Sequence, residues 1–323
     1  MRRRTTLLGL AAAAIVATAA PHPAQAQTWP DKPVKLILPY APGGATDLIG
    51  RPWAEKLTQA FGQQFVIDNR GGASGMIGTE AAAKAAPDGY TFLLTPSATL
   101  TVLPNLRKTP YDPVKSFAPV GRVGDLICGF AINPATGIKT FAELIDYAKK
   151  NPGKLAYGSA GLGTSTHLRL EMLKYRAGID ILHVPYRGSA DALNDLLPNT
   201  VQMMNEINVL PHVKAGKLTL LNINHTERHP DFPDVKTLTE LGYPDSDVPI
   251  WYSIQAPIGM PADIIAKFSA KILEIAATAE MKQRMREINV VVPLQSPADM
   301  TKYLADDIAR NADVIKAANV KLE

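Results

Sequence analysis

The sequence predicts an α/β protein of two lobes with a ligand cleft between them. Three observations predict it. A strand–glycine loop–helix unit occurs twice, at residues 34–61 and again at 155–177. After each unit, short apolar runs alternate with helix-forming stretches, the order that gives right-handed βαβ units and a mixed, mainly parallel sheet flanked by helices in each lobe. The chain has 323 residues, of which the first 26 read as a leader, and the remaining 297 suffice for one large or two medium domains.

The first unit organises the rest. Val34, Leu36 and Leu38 alternate as a strand, and Pro39 stops it. Gly43-Gly44 permits a tight turn and a close ligand approach. Thr46 and Asp47 are N-cap residue types, and Leu48, Trp53, Ala54, Leu57 and Phe61 recur at helical spacing. A glycine loop feeding a helix start presents unpaired N–H groups and a positive dipole end, which is an anion site; the alternative is a plain strand-to-helix turn.

The chain continues with a strand at 65–67, a second glycine-rich loop at 68–75, a helix from Met76 to about Ala86 and a strand at 90–94. A third strand-end loop holds Ser97. The apolar stretch 117–132 is long enough to cross from one lobe into the other. Thr140 and Glu143 have capping-box spacing before a helix ending near Lys150. The second unit runs from 155 through Gly158-Ser159-Ala160-Gly161-Leu162-Gly163-Thr164 into a helix carrying His167. Strands are expected at 181–184, 201–204, 218–223 and 250–254, a short helix at 190–197, and amphipathic helices at 261–278 and 296–314, the last with Ser296 as N-cap and Pro297 at N1.

The leader comprises Arg2-Arg3-Arg4, an apolar run at 7–20 and an Ala24-Gln25-Ala26 cleavage site, so an exported protein maturing near Gln27 is expected, by either the general or the twin-arginine route. The formal charge of +4 includes the three leader arginines and falls to +1 without them, which argues against a nucleic-acid or anionic-membrane binder. No later stretch approaches the length of a spanning helix. Cys128 is the only cysteine, so no internal disulfide forms, and its apolar neighbours make it a small core residue.

No set of residues announces catalysis. Gly161-Leu162-Gly163 misses a dinucleotide fingerprint, and neither a phosphate-binding P-loop nor a G-x-S-x-G elbow occurs. His225 and His229 are four apart but sit beside Pro230, so no metal pair is read there. His167 touches ligand, caps or packs; His183 is a part-buried strand residue. Asp47 either caps its own helix or contacts ligand. Arg187 either neutralises an anion or is a solvated surface residue. Tyr40, Trp251 and Tyr252 pack in the core or wall the cleft.

The run Pro39-Tyr40-Ala41-Pro42-Gly43-Gly44-Ala45-Thr46-Asp47 resembles the P-[FY]-x-P-G-G-x-x-D signature of Bug-type receptors, the extracytoplasmic solute-binding proteins of tripartite tricarboxylate transporters. Asp68-Asn69-Arg70-Gly71-Gly72-Ala73-Ser74-Gly75, Pro87-Asp88-Gly89-Tyr90, Tyr111-Asp112-Pro113, the 158–164 loop, His183-Val184-Pro185-Tyr186-Arg187-Gly188, the run 211–217 and Ala256-Pro257 extend the likeness over the whole mature chain. The resemblance implies a type II periplasmic-binding-protein fold, no enzymatic activity, no cofactor and no metal. It implies a ligand carboxylate held by main-chain amides of the 40–46 and 159–164 loops. Three or four charge-assisted hydrogen bonds of about 1.5–3 kcal/mol each, less ordering costs, support the ~8 kcal/mol of a micromolar complex.

The residues together give an expected ligand set of Tyr40, Ala41, Gly43, Gly44, Ala45, Thr46 and Asp47, then Ser97, then Ser159, Ala160, Gly163, Thr164 and His167, with Arg187, Asn205 and Trp251. Two departures from the family pattern fall in lobe two: Asn205-Glu206 stands where Phe-Asp is common, and Pro198-Asn199-Thr200 where Gly-Gly-Gln is common. The first puts Asn205 or Glu206 in position to change which distal group of the ligand is read. Lobe one is expected over 27–125 with 250–323, and lobe two over 126–249. The expected function is periplasmic capture of a small carboxylate, a di- or tricarboxylate or an aromatic acid, by a monomer that delivers it to membrane transport subunits. The alternatives are a ligand-sensing partner of a membrane signalling protein and an exported α/β enzyme.

Overall fold

The computed structural model describes residues 29–243 and 250–321. The leader and its cleavage site lie outside the described residues. Strands β1 (Val34–Leu38), β2 (Phe65–Asn69), β3 (Thr91–Pro96), β4 (Phe117–Leu126), β5 (Ala131–Ile132), β6 (Ala156–Ser159), β7 (Leu182–Pro185), β8 (Met203–Met204), β9 (Thr219–Leu220), β10 (Ile250–Pro257) and β11 (Val290–Val291) form two sheets. The first has the order β11-β4-β10-β3-β1-β2 and the second β7-β6-β8-β5-β9.

Helices α1 (Ala45–Phe61), α2 (Met76–Ala83), α3 (Ala98–Thr101) and α4 (Leu103–Leu106) precede the first crossing between sheets. Helices α5 (Phe141–Lys150), α6 (Ser165–Ala177), α7 (Ser189–Leu196) and α8 (Leu210–Lys214) belong with the second sheet, and α9 (Ala262–Ala277), α10 (Ala279–Glu287) and α11 (Pro297–Ala317) return to the first. The 261–278 helix is followed at once by α10. Thr278 ends the one and caps the other, its hydroxyl accepting the Met281 N–H.

Both sheets are mixed. Parallel pairs are confined to β1–β2, β1–β3, β6–β7 and β6–β8. The pairs made by β10, β4, β11, β5 and β9 are antiparallel, so the sheets are mixed as expected but parallel pairing does not predominate. The physical cause is the crossing. The chain leaves the first sheet along β4 and comes back along β10, so the two pair antiparallel, and β10 slots between β4 and β3. All eight residues of β10 are buried.

Each sheet is covered on both faces. Val34, Leu36 and Leu38 pack with Trp53 and Leu57 of α1 and Phe268 and Ile272 of α9. Ile37 and Leu93 turn the other way, toward Leu100, Met300, Leu304 and Trp251. Gly50 lets α1 lie close on β1, since a Cβ there would come within 2.7 Å of Leu38 Cδ2. In the second sheet Phe130, Tyr157, Leu170 and Met203 form one face, and Ala131, Met204, Ala192 and Leu196 the other.

The start of α11 follows its sequence signal, while α1 and α5 depart from theirs: α1 is capped by Gly44, with Thr46 and Asp47 already inside its first turn. Ser296 and Asp299 make a full capping box at α11. At α5, Thr140 Oγ1 accepts the Glu143 N–H, but the Glu143 carboxylate accepts from Lys139 rather than Thr140, so the reciprocal arm reaches one residue further back.

Candidate ligand-binding cleft

The parallel strands β1, β6 and β7 each end in a loop that feeds a helix, α1, α6 and α7 respectively. All three helix starts open onto one cavity of about 540 Å³, which includes solvent at its mouth. The first-turn N–H groups of an α-helix lack intrahelical partners, and each start carries the positive end of its dipole. A ligand here sits at the carboxyl ends of the strands, where open α/β sheets bind ligands.

From the first unit the cavity is lined by Tyr40, Ala41, Pro42, Gly44, Ala45 and Thr46. Gly44 is the N-cap, in extended conformation with no side chain to cap the helix. Gly43 sits at φ +79° and turns the loop. Gly43 itself is exposed and outside the lining. Asp47 is also outside it. Its Oδ2 accepts from Gly43 N at 3.0 Å and from Arg51 Nε at 2.8 Å, and Oδ1 accepts from Asn69 at 3.3 Å. Burial alone would raise its pKa, but these three bonds outweigh it and hold the carboxyl below its ordinary value. Asp47 therefore stiffens the loop from behind. Tyr40 is pinned by its hydroxyl donating to Ser74 O at 2.9 Å, and burial pushes its pKa far up.

The second unit contributes Ala160, Thr164, Ser165 and Thr166. Thr164 is the N-cap of α6, accepting the His167 N–H at 3.3 Å and donating to Gly161 O at 2.7 Å. Ser159, Gly163 and His167 stand behind the wall. His167 Nδ1 accepts the Gly163 N–H at 3.1 Å, and its ring stacks on His183 at 4.0 Å between centroids. Ser159 Oγ lies 2.6 Å from His183 Nε2 and takes the Gly161 N–H at 3.1 Å. Burial, then the neighbouring His183 and Lys174 charges, push His167 down to about 3; burial and Lys174 take His183 down to about 4. Both rings are neutral near pH 7 and serve to fix the glycine loop.

The third wall was not expected. Gly188, Ser189, Ala190 and Asp191, at the start of α7, line the cavity, while Arg187 is exposed and outside the lining. Ser189 Oγ accepts the Ala45 N–H at 3.1 Å, a hydrogen bond from the first sheet's helix to the second's. The sequence signal was there in Gly188-Ser189 before a short amphipathic run, the same glycine-then-helix pattern as the other two.

Three further residues of the expected ligand set lie outside the lining of this cavity. Trp251 is fully buried on the opposite face of β10, its Nε1 donating to Asp307 Oδ2 at 2.9 Å; the cleft residue is its neighbour Tyr252. Asn205 is fully buried behind the site, where its Oδ1 accepts from Arg169 Nη1 at 2.9 Å and from the Cys128 thiol at 3.1 Å; Glu206 lines the cavity instead. Ser97 lines an adjoining cavity of about 410 Å³ that shares Ser165 and Ile250 with the first. Its Oγ lies 3.1 Å from Ser165 Oγ, a second contact between the halves.

Glu206 is 5 % exposed, and its Oε2 has no hydrogen-bonding partner. Burial raises its pKa to about 8, with the Arg169 charge opposing the rise. Among the described residues, no group of three or more His, Cys, Asp or Glu side chains is arranged to hold a metal ion, and no helix is long and apolar enough to cross a membrane.

Comparison with known proteins shows which family the chain resembles. The model of the tripartite tricarboxylate transporter family receptor matches residues 49–320. Protein BugT of Bordetella pertussis is 34% identical over 326 residues, covering 99% of each chain. The R. palustris protein Rpa4515, solved with adipate, is 32% identical with a TM-score of 0.88, covering 91% of this chain and 99% of that one. MatC from Rhodopseudomonas palustris, solved with bound malate, is 28% identical with a TM-score of 0.84, covering 88% of this chain and 99% of that one.

Proposed function

This chain belongs to the family of tripartite tricarboxylate transporter receptors, and on that premise we propose that it captures a small carboxylate between its two lobes and delivers it to membrane transport subunits. The observation that carries the reading is the convergence of three helix N-termini, at Gly44–Thr46, Thr164–Thr166 and Gly188–Asp191, on one cavity. Partial positive charge from three directions suits an anionic group, and main-chain donors supply its hydrogen bonds. Adipate and malate, the acids bound by the two solved relatives, carry the negative charge that such a set of helix starts suits.

The lobes are taken to divide at 125/126, at the last residue of β4, and at 249/250, where the chain enters β10. Capture then works by hinge closure: the Ala45–Ser189 and Ser97–Ser165 bonds form as the halves meet, and the ligand completes the contact. Export is by the N-terminal leader, cleaved after about Ala26, and the mature receptor acts as a monomer.

The test is a thermal-shift screen of mono-, di- and tricarboxylates on protein unfolded and refolded to remove anything carried through purification. A ligand at 100-fold its Kd adds about 2.7 kcal/mol to stability. At least one acid is expected to raise Tm by several degrees. Flat melting curves across the panel would overturn the proposal, as would consumption of a bound acid.

A further inference from the structure

Resting on the carboxylate-binding reading above, we propose that Glu206 is the specificity-determining residue of the cleft and that it receives an ammonium group, so that the acid taken up is an amino acid rather than a plain di- or tricarboxylate. The argument starts from what lines the cavity. Two side chains there carry carboxyl groups, Asp191 and Glu206, and among the described residues none carries a cation. One ligand carboxylate is provided for by the helix starts. A second would bring about four acceptor sites into a region with no lysine, arginine or histidine on the wall and an acid already in place.

Glu206 lines the same cavity as the helix starts that would hold the ligand's carboxylate. It follows β8, which runs parallel to β6, as Thr164 follows β6, so it comes from the same strand-end rim. Its carboxyl is desolvated, and Oε2 is buried without a partner. An unpaired buried polar atom costs about 1–3 kcal/mol, more when charged. An ammonium group supplies both a charge and N–H donors to that oxygen.

The groups facing Glu206 permit it to ionise for such a ligand. Arg169 of α6 stands behind it, held by Asn205 Oδ1 at 2.9 Å and Cys128 Sγ at 3.0 Å, and favours the carboxylate form. The other titratable neighbours are the Tyr40, Tyr157 and Tyr252 phenols and the Cys128 thiol, all pushed up by burial and therefore neutral. An incoming ammonium draws the Glu206 pKa down from about 8, so binding releases a proton near neutral pH.

Isothermal titration of the refolded protein with matched pairs decides the matter: aspartate against succinate, glutamate against glutarate, 4-aminobutyrate against butyrate, with malate added as a hydroxy acid. In at least one pair the amine-bearing acid is expected to bind ten-fold or more tightly than its partner. In Glu206→Gln that ratio falls to three-fold or less. The amine-bearing ligand tightens as pH rises from 6.5 to 8.5, and a plain diacid weakens. A wild-type protein that binds each plain acid as tightly as its amine-bearing partner overturns the inference while leaving carboxylate capture intact, as does preference for malate over both aspartate and succinate. A ratio unchanged in a Glu206→Gln protein with normal circular dichroism also overturns it. Silence from every acid tested sinks the underlying carboxylate reading instead.

Discussion

Replacing Trp251 by Phe separates two accounts of this residue. In the structure its indole lies on the face of β10 away from the cleft, fully buried, with Nε1 donating to Asp307 Oδ2 at 2.9 Å and its ring set edge-on to Tyr303. Asp307 is itself 2 % exposed and keeps a second partner in Arg310. Losing the indole donor forfeits a hydrogen bond to a charged group, about 1.5–3 kcal/mol. The smaller ring leaves a void worth about 1–2 kcal/mol more. Because Arg310 still compensates the carboxylate, the lower end applies, a total of about 3 kcal/mol. For a chain of this size that is a fall in Tm of roughly 6 °C, read by differential scanning calorimetry. Affinity for the acid that the ligand screen identifies, measured by titration calorimetry below the new Tm, should stay within about two-fold. A Trp251→Phe protein that melts like wild type but binds ten-fold more weakly would refute the placement.

Two other expectations arise from contacts around the cavity. His167 and His183 are held neutral, with pKa values near 3 and 4 against an ordinary 6.5, so the unfolded chain takes up protons below pH 6.5 that the folded chain refuses. Stability contributed by each is therefore full above pH 6.5 and is lost as pH falls toward 4, by up to about 2 kcal/mol per histidine between pH 7.5 and 5, and urea titrations of wild type and His183→Asn across that range should show the slope reduced in the variant. Ser97→Ala and Ser165→Ala each remove one side of a hydroxyl pair that spans the two halves. Each should leave the ligand-free Tm within about 1–2 °C while weakening acid binding two- to ten-fold, and a double-mutant cycle should return a coupling of about 0.5–1.5 kcal/mol in the binding free energy.

The features that could be read from the residues alone had a common physical basis, and so did those that could not. The Gly43-Gly44 and Gly161–Gly163 loops were legible because a strand run, a glycine turn and a helix start leave three independent marks in a row. The exchange of Trp251 for Tyr252, and of Asn205 for Glu206, was not. Neighbouring residues on extended chain point to opposite faces, and only an alternation of apolar with polar residues tells which is which. In β10 every position is buried, so that alternation is absent. Met203 and Met204 are both buried too, and give no parity for Asn205 and Glu206. Asp47 and His167 were correctly associated with their loops, but whether such a side chain touches ligand or braces the loop depends on its direction, which spacing does not encode. Arg187 drew attention as a charge, while the donors beside it at Gly188 and Ser189 carry none.

The proposed grip at the three helix starts is by peptide groups, and that has a bearing on how such a receptor diversifies. Substitution alters what a residue carries beyond Cα; it leaves the amide hydrogen where the turn put it. A chain can therefore drift to one-third identity with its relatives and still hold an acid, provided the turns at 43–44, 161–163 and 188 keep their shape. Selectivity then rests with a few side chains on the floor and rim, and those can be exchanged without rebuilding the clamp. A receptor of this design acquires a new nutrient by changing one or two residues, not by inventing a pocket.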